Sequence, residues 1–107
     1  MKFYKHLYIS EEIGKKKDKI IQKLKEGKYP LTIYLIALIE EGENQLEFYS
    51  TALLRQDMLY DDDIFVVGLA SGYDDAVYLI EEITREVYKK TGDVDIRSYI
   101  REQDKHE

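Results

Sequence analysis

The chain has 107 residues, no cysteine and a net charge of −6. That length suits one α-plus-β core and excludes a large multidomain enzyme. The absence of cysteine excludes disulfides, thiolate catalysis and zinc–thiolate centres, and fits a reducing compartment. Charge is unevenly spread: residues 1–30 hold nine lysines against four acids, a net +5, and residues 31–107 carry a net −11.

Phe3 to Ile9 alternates, with Phe3, Lys5, Leu7 and Ile9 on one side and Tyr4, His6 and Tyr8 on the other, which predicts a strand. Ser10, followed by Glu11 and Glu12, reads as a helix N-cap with acids in the first turn. Ile13, Lys17, Ile20, Ile21 and Leu24 recur at helical spacing, and Gly27 and Pro30 stop the helix. Leu31 to Ile39 is apolar on both sides, as a central strand requires. After a polar turn through Gly42, Leu46 to Ser50 alternates again as its hairpin partner.

Thr51 to Tyr60 contains Ala52, Leu53, Leu54, Met58 and Leu59, spaced for a short helix that Asp61–Asp63 ends. Ile64 to Ala70 is a second buried strand, and Ser71 and Gly72 lead into a long helix capped by Ser71. There Ala76, Val77, Ile80, Ile83, Val87 and Tyr88 make one apolar stripe, ending near Gly92. Ile96, Tyr99 and Ile100 predict a further short helix, followed by a charged tail over residues 102–107.

The expected fold is therefore α+β: a mixed four-stranded sheet with helices packed on it, in β-α-β-β-(short α)-β-α-α order. It is a two-layer sandwich related to the ferredoxin-like arrangement, formed by one domain over residues 1–107 with its ordered core at about 2–101. The first strand–helix–strand unit is expected to be a right-handed crossover between parallel strands. The longest apolar run is too short to cross a membrane, and the N-terminus lacks the apolar core of a secretory signal. A cytoplasmic location is expected.

No catalytic set, cofactor motif or metal-ligand spacing emerges. Gly68 to Ala76 has the strand–turn–helix context of a phosphate loop, but no glycine fingerprint, and Asp74 and Asp75 would repel phosphate. Asp61–Asp63 and the pair Asp93 and Asp95 lack the converging oxygens of a calcium loop. His6 and His106 have no nucleophile nearby in sequence, and Glu81, Glu82 and Glu86 sit on the polar side of a helix. Catalytic, cofactor and metal residues are accordingly assigned as none.

The tyrosines carry more information: ten of them, with Tyr4, Tyr8, Tyr34 and Tyr49 expected on one sheet face as an interaction surface. That face is to be covered either by the terminal helix or by a second subunit. The leading expectation is a non-enzymatic, self-associating module, first a homodimer, or one that binds another protein. The first alternative is a small ligand-binding domain or enzyme. Its pocket would lie at the carboxyl ends of Leu31–Ile39 and Ile64–Ala70, with Ser71 and Tyr73 as polar lining. The second is anion or nucleic-acid contact through Lys15, Lys16, Lys17 and Lys19, opposed by the lack of interleaved aromatics and by the acidic remainder. A membrane partner is not expected.

Two stretches, FVVGLASGYDDA (Phe65 to Ala76) and EVYKKTGDVDIRSYI (Glu86 to Ile100), resemble small bacterial α/β proteins of unknown function. The resemblance covers about a quarter of the chain and implies no activity, cofactor or site residue.

Overall fold

The computed structural model of the protein describes residues 1–30, 32–55 and 64–105. Leu31, Met58, Leu59, Asp61–Asp63 and His106, named above, lie outside these. The elements are β1 (Lys2–Ile9), a 3-10 turn (Gly14–Lys16), α1 (Lys17–Lys25), β2 (Ile33–Leu38), β3 (Leu46–Ser50), α2 (Ala52–Arg55), β4 (Phe65–Ser71), α3 (Tyr73–Thr91) and α4 (Ile96–Lys105). The strands form one mixed sheet in the order β1-β4-β2-β3. The β2–β3 hairpin is antiparallel, as its two alternating segments lead one to expect.

The first crossover differs from expectation. Strand β4 lies between β1 and β2, parallel to β1 and antiparallel to β2, so β1 and β2 run in opposite directions. Ile9, at the end of β1, pairs with Leu69, and Ile33, at the start of β2, pairs with Ser71, so β2 begins at the end of the sheet where β1 finishes. Helix α1 stops as its glycine dictates. Gly27 has φ 75°, its N–H donates to Leu24 O at 3.1 Å, and Lys28 N–H donates to Lys23 O at 2.8 Å, which together make a Schellman cap.

The start of α1 also departs from the sequence pattern. Ser10 does not cap it. Instead its carbonyl accepts from Ile13 N–H and Gly14 N–H, closing a turn. Gly14 takes φ 44°, a conformation that interrupts a right-handed helix. The α-helix therefore begins only at Lys17.

The sheet is buried on both faces. Toward α3 and α4 it presents Tyr4, Ile36, Leu38, Val67 and Ala70, packed on Ala76, Leu79, Ile83 and Val87 of α3 and on Ile96 and Ile100 of α4. Toward α1 it presents Ile33, Leu35, Ala37, Val66 and Leu69, packed on Ile13, Ile20 and Leu24. The alternation read in Phe3–Ile9 holds: Phe3, Leu7 and Ile9 pack on the α1 side, Tyr4 and Tyr8 on the α3 side.

One irregularity sits at the centre of the sheet. Ile36 pairs with Gly68, yet Ala37 pairs with Val66, so β4 carries an extra residue there. This is a β-bulge. A side chain at Gly68 would point at Ile36 and Leu79, on the side that Val67 also faces.

At the other end of β4, Gly72 takes the N-cap place of α3, where no side-chain cap forms. Ser71 does not cap the helix; instead Asp75, in the first turn, reaches back to accept from Ser71 N–H at 2.8 Å. Helix α4 runs on to Lys105, past the point where the sequence places a charged tail. Asp104 holds it against β1, accepting from Lys5 N–H at 3.5 Å and lying 3.6 Å from Lys2 Nζ.

Candidate interaction surface

The tyrosine face foreseen in the sequence is an internal surface. Tyr4 is buried, and Tyr8 and Tyr34 are partly buried beneath α3 and α4. The terminal helix is the cover, through Ile96, Ile100 and the partly buried Tyr99. Tyr8 donates to the Glu86 carboxylate on α3. Burial first, then that hydrogen bond, push the Tyr8 phenol well above its usual range. Burial, with the negative groups around it, pushes Tyr4 up to about 12.

Tyr49 does not share this face. It pairs with Leu35 across the hairpin and packs on the α1 side. Its hydroxyl donates to Glu47 at 2.5 Å, and burial with that bond raises it to about 12. The strand period explains the exchange: with Tyr49 facing one way, Phe48 takes the aromatic place beside Tyr34. Tyr34, Phe48 and Tyr73 form a ring cluster with centroids 6.0, 6.3 and 5.2 Å apart.

The pocket foreseen at shared carboxyl ends has no such place, because β2 and β4 are antiparallel and finish at opposite ends of the sheet. Ser71 and Tyr73 do come together. They line a shallow, open depression of about 470 Å³ with Glu12, Asp74, Asp75 and Tyr78. Beside it lies a second crevice, of about 380 Å³, between the end of β1 and α3. It is walled by Glu11, Glu12, Glu81, Glu82 and Arg85, and Ser10 in its lining has a buried hydroxyl without a hydrogen-bond partner among the described residues.

Lys15 and Lys16 lie in the 3-10 turn and Lys17 and Lys19 in α1, all exposed. His6 stacks edge-on against Tyr4 at 5.6 Å. Among the described residues no group of three or more His, Asp or Glu is placed to hold a metal ion. No helix among them is long and apolar enough to cross a membrane.

A surface that the sequence reading treated as core stands out on α3. The single apolar stripe expected there is two stripes. Ala76, Leu79, Ile83 and Val87 are buried, whereas Tyr73, Val77, Ile80, Thr84 and Tyr88 run beside them at spacings of three and four and stay partly or largely exposed. Tyr73 and Tyr88 are 59% and 53% exposed, and Val94, just past the helix, is 52% exposed. Ile80, Thr84, Tyr88 and Val94 line a groove of about 660 Å³, edged by Glu81, Arg85 and Lys89. The signal for it was in the sequence: apolar residues cover about half the circumference of α3, more than the roughly 100° stripe that one packed face needs.

The ground beside this groove is firmly held. Arg97 at the start of α4 donates from Nε to Ile39 O at 2.6 Å and from Nη2 to Gly42 O and Asn44 O at 3.1 and 3.3 Å. Gln45 completes the clamp: its Nε2 donates to Val94 O at 2.8 Å and its Oε1 accepts from Arg97 N–H at 2.9 Å. The β2–β3 turn, Val94 and the start of α4 are thereby tied together. Strand β3 is an edge of the sheet and is half-buried along its whole length.

Comparison with known protein families, curated proteins and solved structures gives no match to this chain. The reading of function rests on the surface itself.

Proposed function

We propose that this protein is a non-enzymatic interaction module that associates with a second copy of itself through the outer side of α3. The observation that carries the proposal is the second apolar stripe, Tyr73 to Tyr88, which a packed helix does not need and which ends in the groove at Val94. Contiguous apolar surface edged by charge, with a tyrosine at each end, has the composition of a protein interface. The rigid clamp through Arg97 and Gln45 supports the same reading, because a surface already ordered loses little entropy on docking.

The two alternatives draw less support. The depression at Ser71 and Tyr73 is shallow and edged by carboxylates. The four lysines are exposed, two in a 3-10 turn and two in α1, with no aromatic between them in the sequence.

The test is the solution mass of the native chain by light scattering at low and high salt over a range of concentrations. The proposal expects twice the chain mass at both salts, since an apolar contact survives screening. A chain of single mass throughout would overturn it.

A further inference from the structure

Resting on that reading, we infer that the second copy docks with its α3 antiparallel to the first, the two-fold axis passing beside Thr84. The order of side chains along the groove selects this arrangement. Ile80, Thr84 and Tyr88 form the apolar line, with an acid, Glu81, edging its first half and two bases, Arg85 and Lys89, edging its second. A two-fold axis at Thr84 reverses that order. Ile80 then meets the partner's Tyr88, and Glu81 falls between the partner's Arg85 and the partner's Lys89. A parallel two-fold pairing would instead place the two charged edges on opposite sides of the seam, where Glu81 meets neither the partner's Arg85 nor the partner's Lys89.

The groove is thus complementary in charge to its own reversed copy. This is the condition for an isologous two-fold contact and the reason to name a second copy as the occupant. The helix dipoles also oppose each other in this arrangement. Thr84 is suited to the axis because it is short and its hydroxyl is already satisfied, donating to Ile80 O at 2.9 Å. Nothing polar is stranded when it is covered.

The native chain has no cysteine, so a single introduced thiol reports one position without interference. Packed helices lie about 8–10 Å apart, which brings Cα atoms facing each other at the axis to about 4–5 Å. That is within disulfide reach. The Thr84→Cys chain, folded by circular dichroism and mildly oxidised at micromolar concentration, is expected to become a covalent dimer. A Tyr78→Cys chain, whose position is more exposed but lies roughly 100° round the helix from the stripe, is expected to stay mostly uncrosslinked. A native chain of double mass whose Thr84→Cys form does not crosslink would overturn the antiparallel geometry and leave self-association standing. A native chain of single mass would remove both. A charge reversal gives independent support. Glu81→Lys is expected to weaken association at low salt at least tenfold, and mixing it with an Arg85→Glu, Lys89→Glu chain should restore pairing. Unchanged association of Glu81→Lys would count against the charge register.

Discussion

Substituting Gly68 by alanine tests the bulge at the centre of the sheet. The new Cβ would lie 3.2 Å from Ile36 Cδ1, 3.2 Å from Leu79 Cδ2 and 3.3 Å from Ile36 Cβ. Two of these atoms end flexible side chains and can yield by a few tenths of an ångström. The third cannot, because Ile36 Cβ is fixed to the backbone of the paired strand, where Cβ atoms ordinarily stay about 4.5–5.5 Å apart. One buried methyl contributes about 0.8 kcal/mol, and a stiffer unfolded chain adds about 0.4–1 kcal/mol. Overpacking opposes them with about 1–3 kcal/mol, and the fixed contact places the cost near its upper end. A net loss of about 1 kcal/mol is expected. In urea the unfolding midpoint should fall with an unchanged slope, and the thermal midpoint should drop by about 4–8 °C. A variant more stable than the native chain would show that β2 and β4 can part freely at Ile36, and would refute the bulge as a tight contact.

Two further outcomes follow from the same structure. Arg97→Ala removes three donors to loop carbonyls and should lower stability by about 2 kcal/mol, with Arg97→Lys recovering only part because lysine lacks the planar fork; urea unfolding measures both. Tyr4, Tyr8 and Tyr49 ionise later in the fold than in the unfolded chain. Their contribution is therefore complete below about pH 10 and is lost as pH rises toward and beyond 12. Stability should fall over that window, and Tyr49→Phe should make the fall shallower. Absorbance of ionised tyrosine alongside unfolding curves reads both, and stability that rose above pH 10 would contradict the assignment.

The parts of the fold legible in the sequence are those governed by local period. Phe3–Ile9 and the doubly buried β2 follow directly from alternation and from apolar runs. Gly27 and Gly92 mark helix ends where the left-handed conformation is needed. What stayed hidden depends on partners distant in sequence. Nothing within β1, α1 or β2 announces that β4 will insert between the first and third of these. The side taken by Tyr49 follows from its pairing with Leu35, not from its own neighbours. Two signals of the remainder are local. A glycine inside an apolar strand, Gly68, marks a bulge. The excess width of the α3 apolar arc marks a surface beyond the core. Of the tyrosines expected on one face, Tyr4 and Tyr8 lie beneath the helices and Tyr34 packs with Phe48 and Tyr73, while the exposed tyrosines of α3 include Tyr73 and Tyr88.

The most direct test of the proposed interface compares two glutamate substitutions on the same helix. Tyr88 is in the groove at 53% exposure, and Tyr78 is off the stripe at 66%. Neither is buried in the core, so both variants should fold as the native chain does. Light scattering is expected to give a dimer for the native chain and for Tyr78→Glu, and a monomer for Tyr88→Glu. A Tyr88→Glu chain as dimeric as the native one would contradict the placement of the interface on the outer side of α3.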